Sequence, residues 1–341
     1  MDQPISYAMR NAEAVQSWIF FNAPSSLLDW SFTTIEWMVY ACAALGLGHA
    51  LRSRKLTGKP AALYTFIACF LYGLLIDIIS YYTVNNFWHG EFSVMFLHNR
   101  LPLYIALFYP AFMYPVFMTI RRYAFDTWTA AISTGFLAGL AYLIFDNLGP
   151  LLGWWIWDRG NNTTWPLLDS VPLTSYHWMF VFTTAFAFFA QKFFWAPAAQ
   201  GQTCGKVAVR LLSIPFLTCL LGTLFFVPYN ILAYTVSLTS AAFFHALAFG
   251  GAALLFILNY RQPAEMRDRL LLSIPLIWIM GHLALYIAKW QLFWNISPQG
   301  ASLAADYTQG LYAGNLLAAC AGMAAAFAIV VLSHPAPKSG K

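Results

Sequence analysis

The feature that most restricts this chain is a series of long apolar stretches, near residues 30–51, 60–83, 101–120, 127–147, 172–191, 209–229, 236–259, 270–289 and 310–332. A helix needs roughly 20 apolar residues to cross a bilayer, and in lipid only helices or closed barrels satisfy their own backbone polar groups. These runs are continuous, without the alternating pattern of barrel strands. The expected fold class is therefore all-α: a polytopic integral membrane helical bundle with about nine transmembrane helices. It forms one transmembrane domain over 30–332, preceded by an extramembrane or interfacial segment (1–29) and followed by a cytoplasmic tail (333–341). Composition points the same way. Apolar residues make up 60% of the chain and charged ones 9%, against ~25% charged in soluble domains, and the 18% aromatic content excludes disorder.

Lys and Arg orient such a bundle, because cytoplasmic loops carry the excess. From the N-terminal segment through the successive gaps to the C-terminus, they number 1, 4, 1, 2, 1, 3, 0, 3, 1 and 2. The alternation is unbroken and predicts an N-terminus outside and a C-terminus in the cytoplasm, in a bacterial inner (plasma) membrane. The net charge of +5 belongs to those loops, and no basic stripe has the spacing of a nucleic-acid module, so nucleic acid is not an expected partner. Residues 1–29 lack the basic start and long apolar run of a secretory signal. The five cysteines have no metal or disulfide spacing.

Two segments align with each other. Asp77 is followed eleven residues later by Trp88 and then by Pro102 and Leu103; Asp146 is followed eleven residues later by Trp157 and then by Pro172 and Leu173. A helix, an aromatic loop and a second helix thus recur, over 77–103 and 146–173, as a weak internal repeat of the parallel kind known in membrane folds. Both aromatic loops, 85–100 and 148–171, belong to the outer side.

Ionisable residues within spans are costly and mark functional sites. Glu36, Asp77 and Asp146 qualify, all in the outer half by the expected topology. His177, His282, Asn147 and Lys289 lie at similar depth. No HxxxH, HExxH, nucleotide-binding glycine pattern or nucleophile elbow is present, so no metal and no cofactor is expected. The remaining set is carboxyl groups among aromatics, chiefly Trp88, Trp155, Trp157 and Trp178 as substrate-binding residues, with His282 and Asn147. A carboxylic acid surrounded by hydrocarbon resists ionisation and becomes a usable general acid. Protonation of an alkene gives a carbocation, which aromatic faces stabilise. That chemistry suits a hydrophobic, lipid-like substrate dissolved among membrane lipids.

The segment 145–178, FDNLGPLLGWWIWDRGNNTTWPLLDSVPLTSYHW, resembles the acid, Gly-Trp-x-Trp, Val-Pro and Trp sequence of membrane carotenoid-biosynthesis hydratases. These are the bacterioruberin and gamma-carotene 1',2'-hydratase type, related to membrane-integral lycopene cyclases. The resemblance covers about a third of the chain. Where the family carries Asn-Phe after its Val-Pro element, this chain has Thr174-Ser175-Tyr176-His177. The resemblance implies that Asp146 and Asp77 occupy acid positions and that Trp155 and Trp157 line a substrate pocket.

The expectation is thus an enzyme for cofactor-free, acid-initiated hydration, cyclisation or isomerisation of an isoprenoid- or carotenoid-like lipid. Asp146 is the expected general acid, Asp77 or Glu36 the partner that holds water or accepts a proton, and His177 the group that orients the acid. A proton- or ion-coupled transporter or flippase, and a structural subunit of a membrane complex, are the alternatives. Oligomeric state is not legible.

Overall fold

A computed structural model describes residues 18–158, 161, 166–168, 171–196, 203–263, 268–291 and 316–335. The expectations for 1–17, for 310–315, for 336–341 and, in the second aromatic loop, for 159–160, 162–165 and 169–170 fall outside the described residues. Nine α-helices are described: α1 (Trp30–Thr57), α2 (Ala61–Ile79), α3 (Leu103–Arg121), α4 (Thr127–Leu152), α5 (Leu173–Ala190), α6 (Cys204–Ile231), α7 (Leu238–Asn259), α8 (Arg269–Ala288) and α9 (Leu316–Leu332). Three of them run on through a π-helical turn: α2 through Ser80–Val84, α5 through Gln191–Trp195 and α6 through Leu232–Val236.

The chain is all-α, and six of these helices are long and apolar enough to cross a membrane: α2, α3, α4, α6, α7 and α8. The expected number was nine, and the other three helices fall short for visible reasons. Glu36, His49 and a basic end dilute α1. Ser, Thr, Tyr and His dilute the short α5. The described part of α9 has 17 residues.

Local sequence sets the ends. Asp29, Asp126 and Asp268 cap α1, α4 and α8 by accepting backbone N–H groups of their first turns, which satisfies donors that a helix start leaves open. Gly153 ends α4 at φ 76°, where its N–H bonds back to the last turn.

Helices α3 and α4 form the centre: 89% and 83% of their apolar windows are buried, against 22% and 17% for α6 and α7. Helix α3 packs on α1, α2, α4 and α8, whereas α4 packs on α3, α5, α7, α8 and α9. Helix α6 packs on α2 and α5. The apolar faces of α6 and α7 are left outward, as in Leu212, Phe216, Leu220 and Phe243.

The two aromatic loops are short-stranded. Strands β1 (Ile19–Phe21), β3 (Val94–Phe96) and β4 (Leu101–Pro102) form one antiparallel sheet; β6 (Pro166–Leu168) and β7 (Val171–Pro172) form a hairpin. Strand β2 (Phe87–His89) of the first loop pairs with β5 (Trp155–Trp157) of the second, with Phe87 opposite Trp157 and His89 opposite Trp155. The aligned segments therefore share an element order of helix, strand, two-stranded hairpin and helix. In each, a proline ends the last strand and caps the next helix, Pro102 before Leu103 and Pro172 before Leu173. Proline suits that place because its fixed φ fits the turn into the helix and its missing N–H costs nothing there.

Candidate functional site

Helices α2 to α6 and the β2/β5 ribbon enclose a cavity of about 560 Å³, within the ~300–1,000 Å³ range of small-ligand sites. Period-two alternation decides what the ribbon contributes. Phe87 and His89 line the cavity, and so do Trp155 and Trp157, while the residues between them do not. Trp88, expected in the site, is thereby turned away and lies beneath the Arg100 guanidinium, 5.3 Å from its ring. Gly149 is needed here because a Cβ at that position would fall 1.9 Å from the Trp155 ring.

Asp77 is in the cavity wall. It is 4% exposed, its Oδ1 accepts the Tyr109 hydroxyl at 2.8 Å, and its Oδ2 is buried without a protein partner. Tyr109 reaches it because residue 73 is glycine: a Cβ there would lie 2.3 Å from the Tyr109 ring. Tyr72, Tyr81 and Tyr104 also lie within electrostatic reach of Asp77, each with a buried hydroxyl that has no protein partner.

Asp146 is fully buried one layer behind the wall. Tyr142 and Ser175, which do line the cavity, approach its carboxyl without completing hydrogen-bond geometry, so both oxygens are unpartnered. Tyr142 feels both carboxyls. Asp77, Tyr109, Tyr142, Ser175 and Asp146 thus form one polar cluster drawn from four helices. In the aligned segments Gly73 and Tyr142 hold the same place, each four residues before its aspartate. The first aspartate takes its tyrosine from the next helix and the second has one on its own.

Several expected site residues lie elsewhere. Glu36 accepts the Ser93 N–H at 3.0 Å and the Ser93 hydroxyl at 2.6 Å, so it anchors the first aromatic loop. His177 does not orient Asp146. It sits two residues beyond Ser175, on the opposite side of α5, where its Nδ1 is 2.9 Å from Nδ1 of His245 on α7 and its ring stacks on Tyr229. Asn147 bonds the Leu143 carbonyl and the Tyr176 hydroxyl, at 2.9 and 2.6 Å, which ties α4 to α5. His282 is turned back on its own helix, with Nδ1 2.8 Å from the Trp278 carbonyl. Trp178, Trp155 and Trp157 do line the cavity.

His89 is a wall residue that sequence reasoning missed. Burial, with the nearby Arg100 charge, outweighs the Trp154 carbonyl and pushes its imidazole down to about 3, so the ring is neutral. Its Nδ1 lies 3.4 Å from the Trp154 carbonyl, which makes Nδ1 the protonated nitrogen and Nε2 the acceptor. The one available signal was its place, one residue after Trp88 in an alternating strand. Tyr109 and Ser175 had no signal, since a hydroxyl that approaches a carboxyl across helices leaves no spacing in the chain; Tyr142 had one, its place four residues before Asp146 on the same helix. Among the described residues, no three of His, Cys, Asp and Glu gather closely enough to hold a metal ion.

Among curated proteins and among solved structures the chain has no match. Over residues 18–270 it matches the family described as a domain of unknown function, DUF7802, a span that contains both aromatic loops and every residue of the cavity wall. The chain belongs to the DUF7802 family.

Proposed function

We propose that this protein is an integral-membrane enzyme that protonates a carbon–carbon double bond of an isoprenoid- or carotenoid-like lipid. In this reading all nine helices cross the membrane of a bacterial cell, with the N-terminus outside and both aromatic loops on the outer side. The observation that carries it is a buried carboxyl, Asp77, in the wall of an aromatic cavity, hydrogen-bonded on one oxygen and unpartnered on the other.

Asp77, as a carboxylic acid, gives its proton to the alkene and becomes a carboxylate. The carbocation is stabilised by the faces of rings that line the same space, Phe108, Phe145 and Trp155 among them. In hydration, water that donates a hydrogen bond to His89 Nε2 adds to the cation and its surplus proton passes to the Asp77 carboxylate, which restores the acid; in cyclisation or isomerisation a neighbouring C–H gives up that proton to the same carboxylate instead. Asp146, behind Tyr142 and Ser175, is the second carboxyl of the cluster and positions those two hydroxyls beside Asp77; it transfers no net proton. The role first expected of Asp146 thus passes to Asp77, which borders the cavity.

The test is mass spectrometry of lipid extracts from a polyprenoid-producing host that expresses wild type, Asp77→Asn, Asp146→Asn or empty vector. A species heavier by one water, or isomeric with its precursor, is expected with wild type and absent with Asp77→Asn. Identical extracts from wild type and vector would falsify the enzymatic reading. Substrate movement that depends on a proton gradient would then assign the site to transport.

A further inference from the structure

We infer that the cavity, taken as a lipid site on the reading above, admits its lipid sideways between α2 and α6 and holds a single uncharged polar end, a hydroxyl or carbonyl, at Asn230, at the level of Asn86. The entrance is visible in residues that both line the cavity and face outward. Leu220 on α6 is 61% exposed and Val84 at the end of α2 is 40% exposed, and both belong to the wall. On α6 the wall residues Cys219, Thr223, Phe226 and Asn230 follow helical spacing and form one stripe along the opening. The π turn at Ser80–Val84 ends α2 beside it. The ribbon of β2 and β5 closes the end of the cavity above, so the side is the way in.

The wall is graded along its length. Asn230 and Asn86 lie at the ribbon end, whereas Phe108, Phe182 and Cys219 lie deeper along their helices. At 1.5 Å per residue the polar end sits on the order of 10 Å from Asp77 along α2, so the reacting double bond is several bonds from the head. Charge settles the kind of head. Among the described residues that line the cavity there is no lysine or arginine. Arg100, in the adjacent loop, donates to the Tyr81 carbonyl and to Asn85 and lies over Tyr81 and Trp88. A phosphate would enter this apolar space without a cation, at a high desolvation cost. The amide of an asparagine such as Asn230 suits a hydroxyl or carbonyl: it donates to either and accepts from a hydroxyl.

The experiment is photo-crosslinking of the full chain in phosphatidylcholine vesicles with a diazirine derivative of geranylgeraniol and with the monophosphate of that probe. The alcohol probe should label the α6 stripe and the end of α2 saturably, compete with unlabelled geranylgeraniol, and label far better than the phosphate. Leu220→Trp should block labelling, Leu220→Ser should preserve it, and Asn230→Leu should weaken it about fivefold through the lost hydrogen bond. Equal labelling by the phosphate would overturn the uncharged head, and labelling indifferent to Leu220→Trp would overturn the side entrance. Labelling that survives while lipid extracts of wild type and vector are identical removes the chemistry and leaves this inference standing. Turnover with no labelling removes this inference alone.

Discussion

Replacement of Gly73 by alanine tests the central arrangement with one methyl group. The Cβ it adds would lie 2.3 Å from Tyr109 Cδ2, 2.5 Å from Cγ and 2.8 Å from Cβ, whereas ordinary contact begins at 3.4 Å. The Tyr109 ring must therefore retreat by roughly 1 Å, and two of the three contacts are to the stiff base of the side chain, so rotation of the ring tip gives no relief. A movement of that size stretches the 2.8 Å bond from Tyr109 to Asp77 beyond hydrogen-bonding distance. Overpacking costs about 1–3 kcal/mol, and a buried carboxyl left without its donor costs about 1–3 kcal/mol more. Gly250 on α7 is the control, because a Cβ there meets nothing within 4 Å, and alanine in an open helical position stabilises by roughly 0.5–1 kcal/mol. In detergent-solubilised protein the apparent Tm should fall by several degrees for Gly73→Ala, at about 2–4 °C per kcal/mol, and stay level or rise for Gly250→Ala. Product formation should drop by about tenfold or more in Gly73→Ala, the equivalent of 1.4 kcal/mol. Equal Tm and equal turnover in the two variants would refute both the packing of Tyr109 on residue 73 and the part its hydroxyl plays.

Asp268 caps α8 and lies 3.4 Å from His49 and 3.7 Å from Arg52; the hydrogen bond from His49, set against partial burial and reinforced by the Leu271 N–H and the Arg52 charge, holds its carboxyl below the usual range. Its contribution to stability is complete above the unfolded value of about 3.9 and is lost as pH falls through the lower folded value, so Tm should decline with acidification in that window and decline less in Asp268→Asn. Glu36→Ala strands the Ser93 N–H and hydroxyl, which costs about 1–3 kcal/mol. Limited proteolysis should then cut within 85–100, while turnover per folded molecule holds; a folded but inactive variant would place Glu36 in the chemistry after all. With Cys204 and Cys320 replaced by serine, Asn161→Cys should react with an impermeant thiol reagent from outside the cell and Lys59→Cys should not, and the reverse pattern would invert the topology.

Most of the helical frame was legible in the chain. Long apolar runs between basic gaps predict helices near 60–83, 101–120 and 236–259, and Ala61–Val84, Leu103–Arg121 and Leu238–Asn259 occupy those places. The reason is local: run length, capping acids such as Asp126 and terminal glycines such as Gly153 act within a few residues. The likeness between 77–103 and 146–173 was legible too, because it repeats residue types at fixed spacing. Which polar groups meet was decided only in three dimensions. Depth along a helix can be counted from sequence, but the direction in which a side chain leaves the helix gains meaning only when the neighbours are known. Asp146 and Asn147 are adjacent, yet one meets Tyr142 and Ser175 and the other ties down Tyr176. Glu36 has the depth of a catalytic acid and is an anchor for Ser93. His89 entered the wall, and Trp88 left it, through the pairing of β2 with β5, whose partners, such as His89 and Trp155, are far apart in the chain. The sequence determined where the helices run and which loops are aromatic; packing decided that Asp77, of the described acids, borders the cavity.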